Sequence, residues 1–282
     1  MSIDYQPSET LVRDEDPDRF LSTLFAPQDR RSHLNALYAF NIETAKVRER
    51  VSQPLPGEIR LQWWRDTIAG APDGAGEAGQ GNPLAAALID TIRRFHLPPD
   101  SFDRFVEARI FDLYDDPMPD RHAFESYAGE TAASLIMLAA MVLDRQAAPQ
   151  AAEAAGHGGV AQVAAGVLRL LPLHRSRGQI FIPADILEAA GCQPEALLGG
   201  DPVAGERAVA AMAAFGREHH RRFIDAFGGL PRSLRPAFLP VLMTGRYLDR
   251  IEADGGTVLT RPSAGGGPFV RLWTYWRAMR RS

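Results

Sequence analysis

The stretch GGVAQVAAGVLRLLPLHRSRGQIFIP, residues 158–183, decides the fold that we predict for this chain. Small and aliphatic residues recur in it at helical spacing, namely Ala161, Ala164, Ala165 and Leu168. A helix with so many small side chains lets its neighbours approach closely, as the centre of a large bundle requires. Pro172 lacks a backbone donor, so we expect the helix to kink or end there. A short basic turn and the apolar residues 180–183 follow.

The bulk composition favours a soluble, cytoplasmic, globular protein. The chain has 282 residues, 45% hydrophobic and 23% charged, which one large all-α domain can accommodate. A net charge of -4 gives no support for nucleic-acid binding. The single cysteine, Cys192, excludes an internal disulfide and fits a reducing compartment. The N-terminus does not resemble a signal peptide, and the apolar run 132–143 is too short to span a bilayer.

Helical periodicity and chain breakers predict a single all-α domain of about ten helices. We expect residues 1–16 to be a flexible N-terminal segment and residues 17–282 to form the helical domain. The glycine-rich residues 70–83 are expected to be a surface loop without chemistry of its own. The expected helices are 18–26, 29–53, 57–69, 83–96, 98–116, 120–143, 149–171, 185–190, 202–227, 234–253 and 268–281.

Short patterns along the chain resemble the signatures of one enzyme family. They are Arg30-Arg31, Tyr38-Ala39-Phe40, Asp112-Leu113, Tyr127 with Thr131-Ala132-Ala133-Ser134, and Arg169 followed by Gly178, Phe181 and Pro183. In this order they resemble the squalene/phytoene synthase family, whose second signature reads A-x-Q-x-x-N-x-x-R-D-x-x-x-D and then G-R-x-Y-x-P. The resemblance implies an isoprenoid-synthase helical bundle with a large central cavity. It also implies magnesium-dependent, head-to-head condensation of two prenyl diphosphates.

The positions of the family's magnesium ligands carry other residues here. In the family, carboxylates spaced i and i+4 on two facing helices hold the cations through oxygen. In this chain the first motif falls on residues 45–49, where Glu49 keeps an acid and Lys46 adds positive charge. The second falls on Leu170 and His174, and magnesium rarely takes nitrogen. We therefore expect no metal and no cofactor, with magnesium required only if the chain transfers prenyl groups.

Two other uses of these residues stay open. Glu43, Glu49 and His174 could form a different metal site, but we favour ion pairs between the glutamates and nearby cations. Those cations are Lys46, Arg48 and Arg50. Metal-free diphosphate binding could involve Lys46, Arg169, Arg175 and Arg177, because arginine forks suit phosphate oxygens. In either case we expect Arg169 to be buried and paired with an acid, Asp112 or Glu49, or with a trapped anion, since burying an unpaired arginine is costly.

A second set of patterns resembles one branch of the same superfamily. These patterns are Asn41-Ile42-Glu43, Val51-Ser52, Ala161-Gln162 and the RLQWW of residues 60–64. The branch includes the mitochondrial NADH dehydrogenase (complex I) assembly factor with a phytoene-synthase-like domain. The resemblance implies a non-catalytic factor with protein partners in the peripheral arm of respiratory complex I. The alternatives are a prenyl transferase acting on farnesyl or geranylgeranyl diphosphate, and a module that holds a prenyl or lipid ligand.

We assign no catalytic residue from the sequence. The candidate cavity and anion-binding residues are Tyr38, Asn41, Lys46, Glu49, Asp112, Arg169, His174 and Arg177. Glu218, His219 and His220 are expected to lie on a solvated helix face rather than in a metal site.

The C-terminal segment 268–281 combines an apolar stripe with basic residues. The stripe consists of Phe269, Leu272, Trp273 and Trp276, and the segment contains no acid. This composition is typical of a membrane-surface or partner-docking helix. We favour the alternative, in which the stripe packs on the bundle and the arginines are solvated. Even then, the basic chain end predicts salt-sensitive peripheral contact with the inner face of a membrane.

Overall fold

The chain folds into an all-α bundle, as predicted. The computed structural model describes residues 3–70, 81–263 and 265–280, and no β-strand occurs among them. Residues 71–80 of the expected glycine-rich loop, and Arg281 of the expected C-terminal helix, lie outside this part. The α-helices are α1 (Gln6–Glu15), α2 (Pro17–Thr23), α3 (Gln28–Ala45), α4 (Pro54–Ala69), α5 (Pro83–Phe95), α6 (Pro99–Ile110), α7 (Arg121–Ala128), α8 (Ser134–Leu143), α9 (Ala152–Arg169), α10 (Leu171–Ser176), α11 (Ala184–Ala189), α12 (Pro194–Gly199), α13 (Pro202–Gly228), α14 (Arg235–Asp254) and α15 (Pro268–Arg280).

Helix α9 lies at the centre, as the small-residue stretch predicted. Ala161 and Ala164 are completely buried, and α9 packs against α13, α14 and the segment before α8. Helix α13 comes close to α9 because Gly216 has no side chain: a Cβ on Gly216 would lie 3.0 Å from that of Ala164. Helix α9 ends at Arg169, and Pro172 lies in the first turn of α10, where its missing N–H costs nothing.

The helix predicted over residues 120–143 is interrupted by a π-helical segment. The Asp120 carboxylate caps α7 by accepting from the backbone N–H of Ala123, and Gly129–Ala133 then forms the π turn before α8 begins. This segment packs directly on α9: a Cβ added to Gly159 would lie 2.6 Å from the backbone nitrogen of Ala133. The continuous helix Arg121–Leu143 is long and apolar enough to cross a bilayer, but 61% of its most apolar window is buried inside the bundle.

The expectation of a flexible segment over residues 1–16 is wrong for its described part. Residues 6–15 form α1, which packs on α3 and buries Ser8 and Val12. The hydroxyl of Tyr5 donates a hydrogen bond to Asp90 on α5 and contacts the ring of His33 on α3. The acidic composition of the segment concealed the narrow buried face that holds it in place.

The helix predicted to reach residue 53 ends at Ala45 instead. The hydroxyl of Thr44 bonds back to the carbonyl of Phe40 at 2.9 Å, and the chain then turns through a 3₁₀ segment, Arg48–Arg50. Together with short helices such as α10 and α12, this break raises the number of helices above the ten predicted. It also places the first motif, residues 45–49, at the end of a helix rather than within one.

The favoured interpretation of the C-terminal stripe is also wrong. Helix α15 packs on α2 and α14 through Arg271, Tyr275 and Ala278, which leaves its aromatic stripe exposed. The physical reason is an ion pair of the Arg271 guanidinium with the Asp18 carboxylate on α2, which turns the face of Arg271, Tyr275 and Ala278 inward. Sequence periodicity defined both faces but did not decide which one the bundle covers.

Replacement of Gly159 by alanine should destabilise the bundle. Its Cβ would overlap the backbone of Ala133, so we expect Gly159→Ala to lower the free energy of unfolding by about 2–3 kcal/mol. Gly156 lies on the same helix with no atom within 4 Å of its added Cβ. Gly156→Ala should therefore be neutral or gain up to about 1 kcal/mol from helix propensity. Urea denaturation followed by circular dichroism measures both variants, and equal effects would contradict the packing described here.

Candidate functional site

A cavity of about 480 Å³ lies beside the C-terminal end of α9. Both motif stretches reach it: Ala45 and Glu49 line one part of the wall, and Leu170 and His174 line another. Six of the candidate residues contribute to the lining, namely Asn41, Glu49, Asp112, Arg169, His174 and Arg177. The fold therefore brings together residues separated by more than a hundred positions in the sequence. Their roles remain predictions.

Two of the candidate residues do not line the cavity. Tyr38 is buried in the core beside it, 5.7 Å from the guanidinium of Arg19, and burial raises the pKa of its hydroxyl to about 12. Lys46 follows the end of α3 and forms an ion pair with Glu15 at 2.7 Å. Because α3 ends one residue earlier, the Lys46 ammonium is directed to α1 rather than into the cavity.

A buried polar network forms one wall of the cavity. The Arg109 guanidinium donates to Asp112 at 3.1 Å, to the hydroxyl of Tyr127 at 2.7 Å and to the side-chain oxygen of Asn41 at 3.1 Å. The Tyr127 hydroxyl in turn donates to Asp112 at 2.8 Å. Burial raises the pKa of the Asp112 carboxyl, and the two donors offset part of that rise. The network links α3, α6 and α7. Asp112 therefore has a structural role in this wall.

Arg169 does not pair with an acid of the described residues, which contradicts the first of the two partners expected for it. Asp112 is occupied by Arg109, and no carboxylate of the described residues lies within ion-pair distance of Arg169. Its guanidinium instead stacks on the ring of Tyr247 at 4.2 Å, and its buried Nε has no hydrogen-bond partner there. The Tyr247 hydroxyl donates a hydrogen bond to the Asp18 carboxylate. Arg169 is therefore connected to that carboxylate only by way of the Tyr247 side chain, on whose ring it stacks.

His174 and Arg177 form the other polar part of the wall. The His174 ring packs against Phe181 with 4.6 Å between ring centroids, and its buried Nδ1 has no partner among the described residues. Burial, helped by the positive charge of Arg177, lowers the pKa of His174 to about 4, so the ring is neutral at neutral pH. The Arg177 guanidinium makes no ion pair within the described part of the chain. Both residues leave polar atoms that a ligand could contact.

Arg175, the remaining anion-binding candidate, has a structural role. Its guanidinium donates to the backbone carbonyls of Leu197 and Leu198 at 2.7 and 3.1 Å and to that of Leu259. These bonds tie α10 to the end of α12 and to the 3₁₀ segment Gly255–Leu259. The candidates for metal-free anion binding are therefore reduced to Arg169 and Arg177.

The carboxylates near the cavity are mostly engaged by arginines. Glu43 forms a two-pronged ion pair with Arg50 at 2.7 and 2.8 Å, which is the interpretation that we favoured over a metal site. Asp16 pairs with Arg19 at 2.6 Å, whereas Glu49 forms no ion pair within the described residues. Over residues 3–70, 81–263 and 265–280, no group of three or more His, Cys, Asp or Glu side chains is arranged to hold a metal ion.

A second polar cluster lies outside the cavity and corrects the expectation of a solvated face. His219 on α13 is buried, with its Nδ1 3.1 Å from that of His157 on α9 and its Nε2 3.3 Å from Glu125 on α7. His220 points elsewhere and packs against Gly245 of α14. A sequence signal existed, because α13 is amphipathic and His219 shares its buried face with Met212, but the partners on α7 and α9 are not sequence neighbours.

Comparison with known proteins gives the same family by sequence and by fold. The squalene/phytoene synthase family profile matches residues 12–273. "NADH dehydrogenase (ubiquinone) complex I, assembly factor 6" of Bos taurus is 30% identical over 243 residues, which is 86% of this chain and 72% of that relative. The chain belongs to the squalene/phytoene synthase family.

Solved structures of the family have the same fold. Squalene synthase HpnC from Alicyclobacillus acidocaldarius aligns with a TM-score of 0.74 at 20% identity, over 89% of this chain and 94% of that one. A dehydrosqualene synthase solved with a ligand gives 0.82 at 14% identity, over 97% and 94%. At this level of identity the likeness establishes the isoprenoid-synthase bundle and carries no activity with it.

Removal of the buried Asp112 carboxylate should destabilise the protein far more than removal of the exposed Asp115 carboxylate. Asp112→Ala would leave the Arg109 charge buried and unpaired, so we expect a loss of about 3–5 kcal/mol in the free energy of unfolding. Asp115→Ala breaks an exposed pair with Arg48 and should cost at most about 1 kcal/mol. Denaturant titration of the two variants compares them directly. Similar small losses would show that the network does not hold the wall together.

Proposed function

We propose that this member of the squalene/phytoene synthase family does not carry out magnesium-dependent prenyl transfer and acts instead as an assembly factor for respiratory complex I. One observation carries the first half of the proposal. The positions that the family resemblance assigns to magnesium ligands are Ala45, Glu49, Leu170 and His174. All four line one cavity, and Glu49 alone among them offers a carboxylate.

The donor chemistry of the cavity does not fit magnesium. Ala45 and Leu170 provide no ligand atom, and His174 offers nitrogen, which magnesium disfavours. Neighbouring carboxylates do not compensate, because Asp18 is paired with Arg271 and Asp112 with Arg109. Without a hard cation on the diphosphate, the departure of that group lacks its usual electrostatic support. We therefore derive no catalytic step through a metal in this chain.

The second half of the proposal rests on the relatives. Curated proteins of Bos taurus and Homo sapiens that bear the name complex I assembly factor 6 match this chain at 30% identity over 86% of its length. The solved synthases match at 20% or less. A role in assembly predicts protein partners in the peripheral arm of complex I, reached from the cytoplasmic side of a membrane.

The alternative function is head-to-head prenyl transfer on farnesyl or geranylgeranyl diphosphate. Arg169 and Arg177 favour it, because both guanidiniums face the cavity and neither forms an ion pair within the described residues. Arginine forks suit phosphate oxygens and could hold a diphosphate without metal. The same arrangement would also suit a prenyl or lipid phosphate that binds without turnover.

An activity assay separates catalysis from its absence. Purified protein with magnesium and either prenyl diphosphate should release no more diphosphate than the Glu49→Ala variant, which lacks the remaining motif acid. Release by the parent well above that variant would establish the transferase alternative. In a strain that lacks the chain, we expect reduced assembly of the complex I peripheral arm on native gels, restored equally by parent and Glu49→Ala. Normal complex I in that strain would contradict the assembly role.

Restoring the missing ligands should create a magnesium site. We expect Ala45→Asp, Leu170→Asp and His174→Asp together to produce magnesium binding in a calorimetric titration that the parent does not give, because both motif stretches still face one cavity. The double variant Leu55→Asp/Ile59→Asp is the control, since it adds carboxylates at i and i+4 on the exposed face of α4 without a facing pair. Tight magnesium binding by the parent would show that the site had not been lost.

A further inference from the structure

Helix α15 carries the most exposed aromatic surface in the described part of the chain. The exposed fractions are 78% for Phe269, 36% for Leu272, 52% for Trp273 and 40% for Trp276. These residues recur at spacings of three and four, so they share one face of the helix. The rings of Trp273 and Trp276 stack on each other with centroids 5.1 Å apart. Such a contiguous stripe of large apolar side chains marks an interaction site.

The opposite face of α15 is fixed to the bundle, so the stripe cannot turn inward. Tyr275 is fully buried, and its hydroxyl donates to the backbone carbonyl of Asp18 at 3.2 Å. Arg271 pairs with the Asp18 carboxylate and donates to the carbonyl of Gly266, which holds the start of the helix. The Phe25 ring on the other side packs edge-on against Tyr275. Three separate contacts therefore set the rotation of α15 about its axis.

The charged residues near the stripe indicate which kind of surface it binds. No Asp or Glu follows Asp254 in the sequence, whereas five arginines do, namely Arg261, Arg271, Arg277, Arg280 and Arg281. On α15 itself Arg277 and Arg280 are exposed, and the Arg280 guanidinium lies 4.3 Å from the centre of the Trp276 ring. The rest of the chain is acidic, because the whole protein has a net charge of -4. Arg277 and Arg280 thus place positive charge next to the aromatic stripe, on a helix that carries no acid.

We propose that α15 docks this protein on an anionic lipid surface, with the Phe269–Trp276 stripe in the headgroup boundary and Arg277 and Arg280 on the lipid phosphates. Tryptophan suits this boundary because its ring is apolar and its N–H is polar, and a helix with one apolar and one basic face lies in the plane of the interface. The exposed arginines favour lipid over a second copy of the chain paired through α15, because that symmetric contact would bring the arginines of the two copies together. This docking is independent of the proposed assembly role.

A second exposed stripe provides the matched control. Leu55, Ile59 and Trp63 lie at i, i+4 and i+8 on α4 and are as exposed as the α15 residues. The charges of α4 cancel, since Glu58 and Asp66 offset Arg60 and Arg65 on the same helix, whereas α15 carries arginines and no acid. If apolar exposure alone directed the protein to lipid, the two stripes would be equivalent. If the proposal is right, only α15 matters.

Vesicle flotation tests the proposal with the full chain. The parent should float with phosphatidylcholine vesicles that contain phosphatidylglycerol, and remain in the soluble fraction with phosphatidylcholine alone. The stripe variant Phe269→Ser/Trp273→Ser/Trp276→Ser and the charge variant Arg277→Glu/Arg280→Glu should each bind at least about tenfold more weakly. About 1 M salt should weaken binding by the parent, because the Debye length falls to about 3 Å. The α4 variant Leu55→Ser/Ile59→Ser/Trp63→Ser should bind like the parent.

Tryptophan fluorescence gives a second readout, which reports the surroundings of the stripe rather than the amount of protein that floats with the vesicles. Emission should shift to shorter wavelength when anionic vesicles are added, and the shift should persist in Trp63→Phe but disappear in Trp273→Phe/Trp276→Phe. These changes are conservative and lie at exposed positions, so the fold is retained and circular dichroism checks it.

Three results would overturn the proposal. The first is no flotation of the parent at low salt, and the second is equal binding by the parent and the stripe variant. The third is a dimeric parent and a monomeric stripe variant in sedimentation analysis, without vesicle binding, which would assign the stripe to a second copy of the chain.

Discussion

The close contact between α9 and the π-helical segment is the constraint on which the rest of the bundle depends. Gly159 lies against the backbone of Ala133, and any larger residue would require one of the two helices to move. On its other sides α9 meets α13 at Gly216 and the Phe223 and Val241 side chains at Gly158. A helix surrounded so closely can carry only small side chains on the faces that meet its neighbours. The cavity lies beside its C-terminal end, where longer side chains fit.

The π segment connects this packing to the polar wall. It begins two residues after Tyr127, and the Thr131 hydroxyl donates a hydrogen bond to the Tyr127 carbonyl at 2.6 Å. The Tyr127 hydroxyl belongs to the Arg109–Asp112 network, and Thr131 lines the cavity. Interruptions of this kind are frequent at functional sites because they change the direction of the side chains that follow. In this chain the interruption allows one helix both to contact α9 closely and to supply the cavity wall.

Electrostatics explains why the cavity differs from a site built for hard cations. A buried arginine needs an acid partner or an electron-rich surface such as an aromatic ring. An acid that is paired with an arginine is not free to bind a metal ion. Arg109 occupies Asp112, Arg271 occupies Asp18, and Arg169 is left on the face of Tyr247. This use of the acids by arginines supports our proposal that the cavity does not bind magnesium. The same pairing of Arg271 with Asp18 fixes α15 and leaves its aromatic face outside.

The sequence by itself determined the features that depend on neighbours along the chain. The all-α class, the central small-residue helix and the break close to Pro172 all follow from local periodicity and local hydrogen bonds. The family resemblance also pointed to six residues of the cavity wall, because its motifs lie on the helix ends that meet there.

Only the tertiary structure decided the features that depend on distant partners. The order of α1 rests on contacts of Tyr5 with Asp90 and His33, and the stacking of Arg169 rests on Tyr247, far away in sequence. The choice of which face of α15 is covered rests on Asp18. In each case the local sequence is compatible with two arrangements. A charged or aromatic side chain on another helix stabilises one of them.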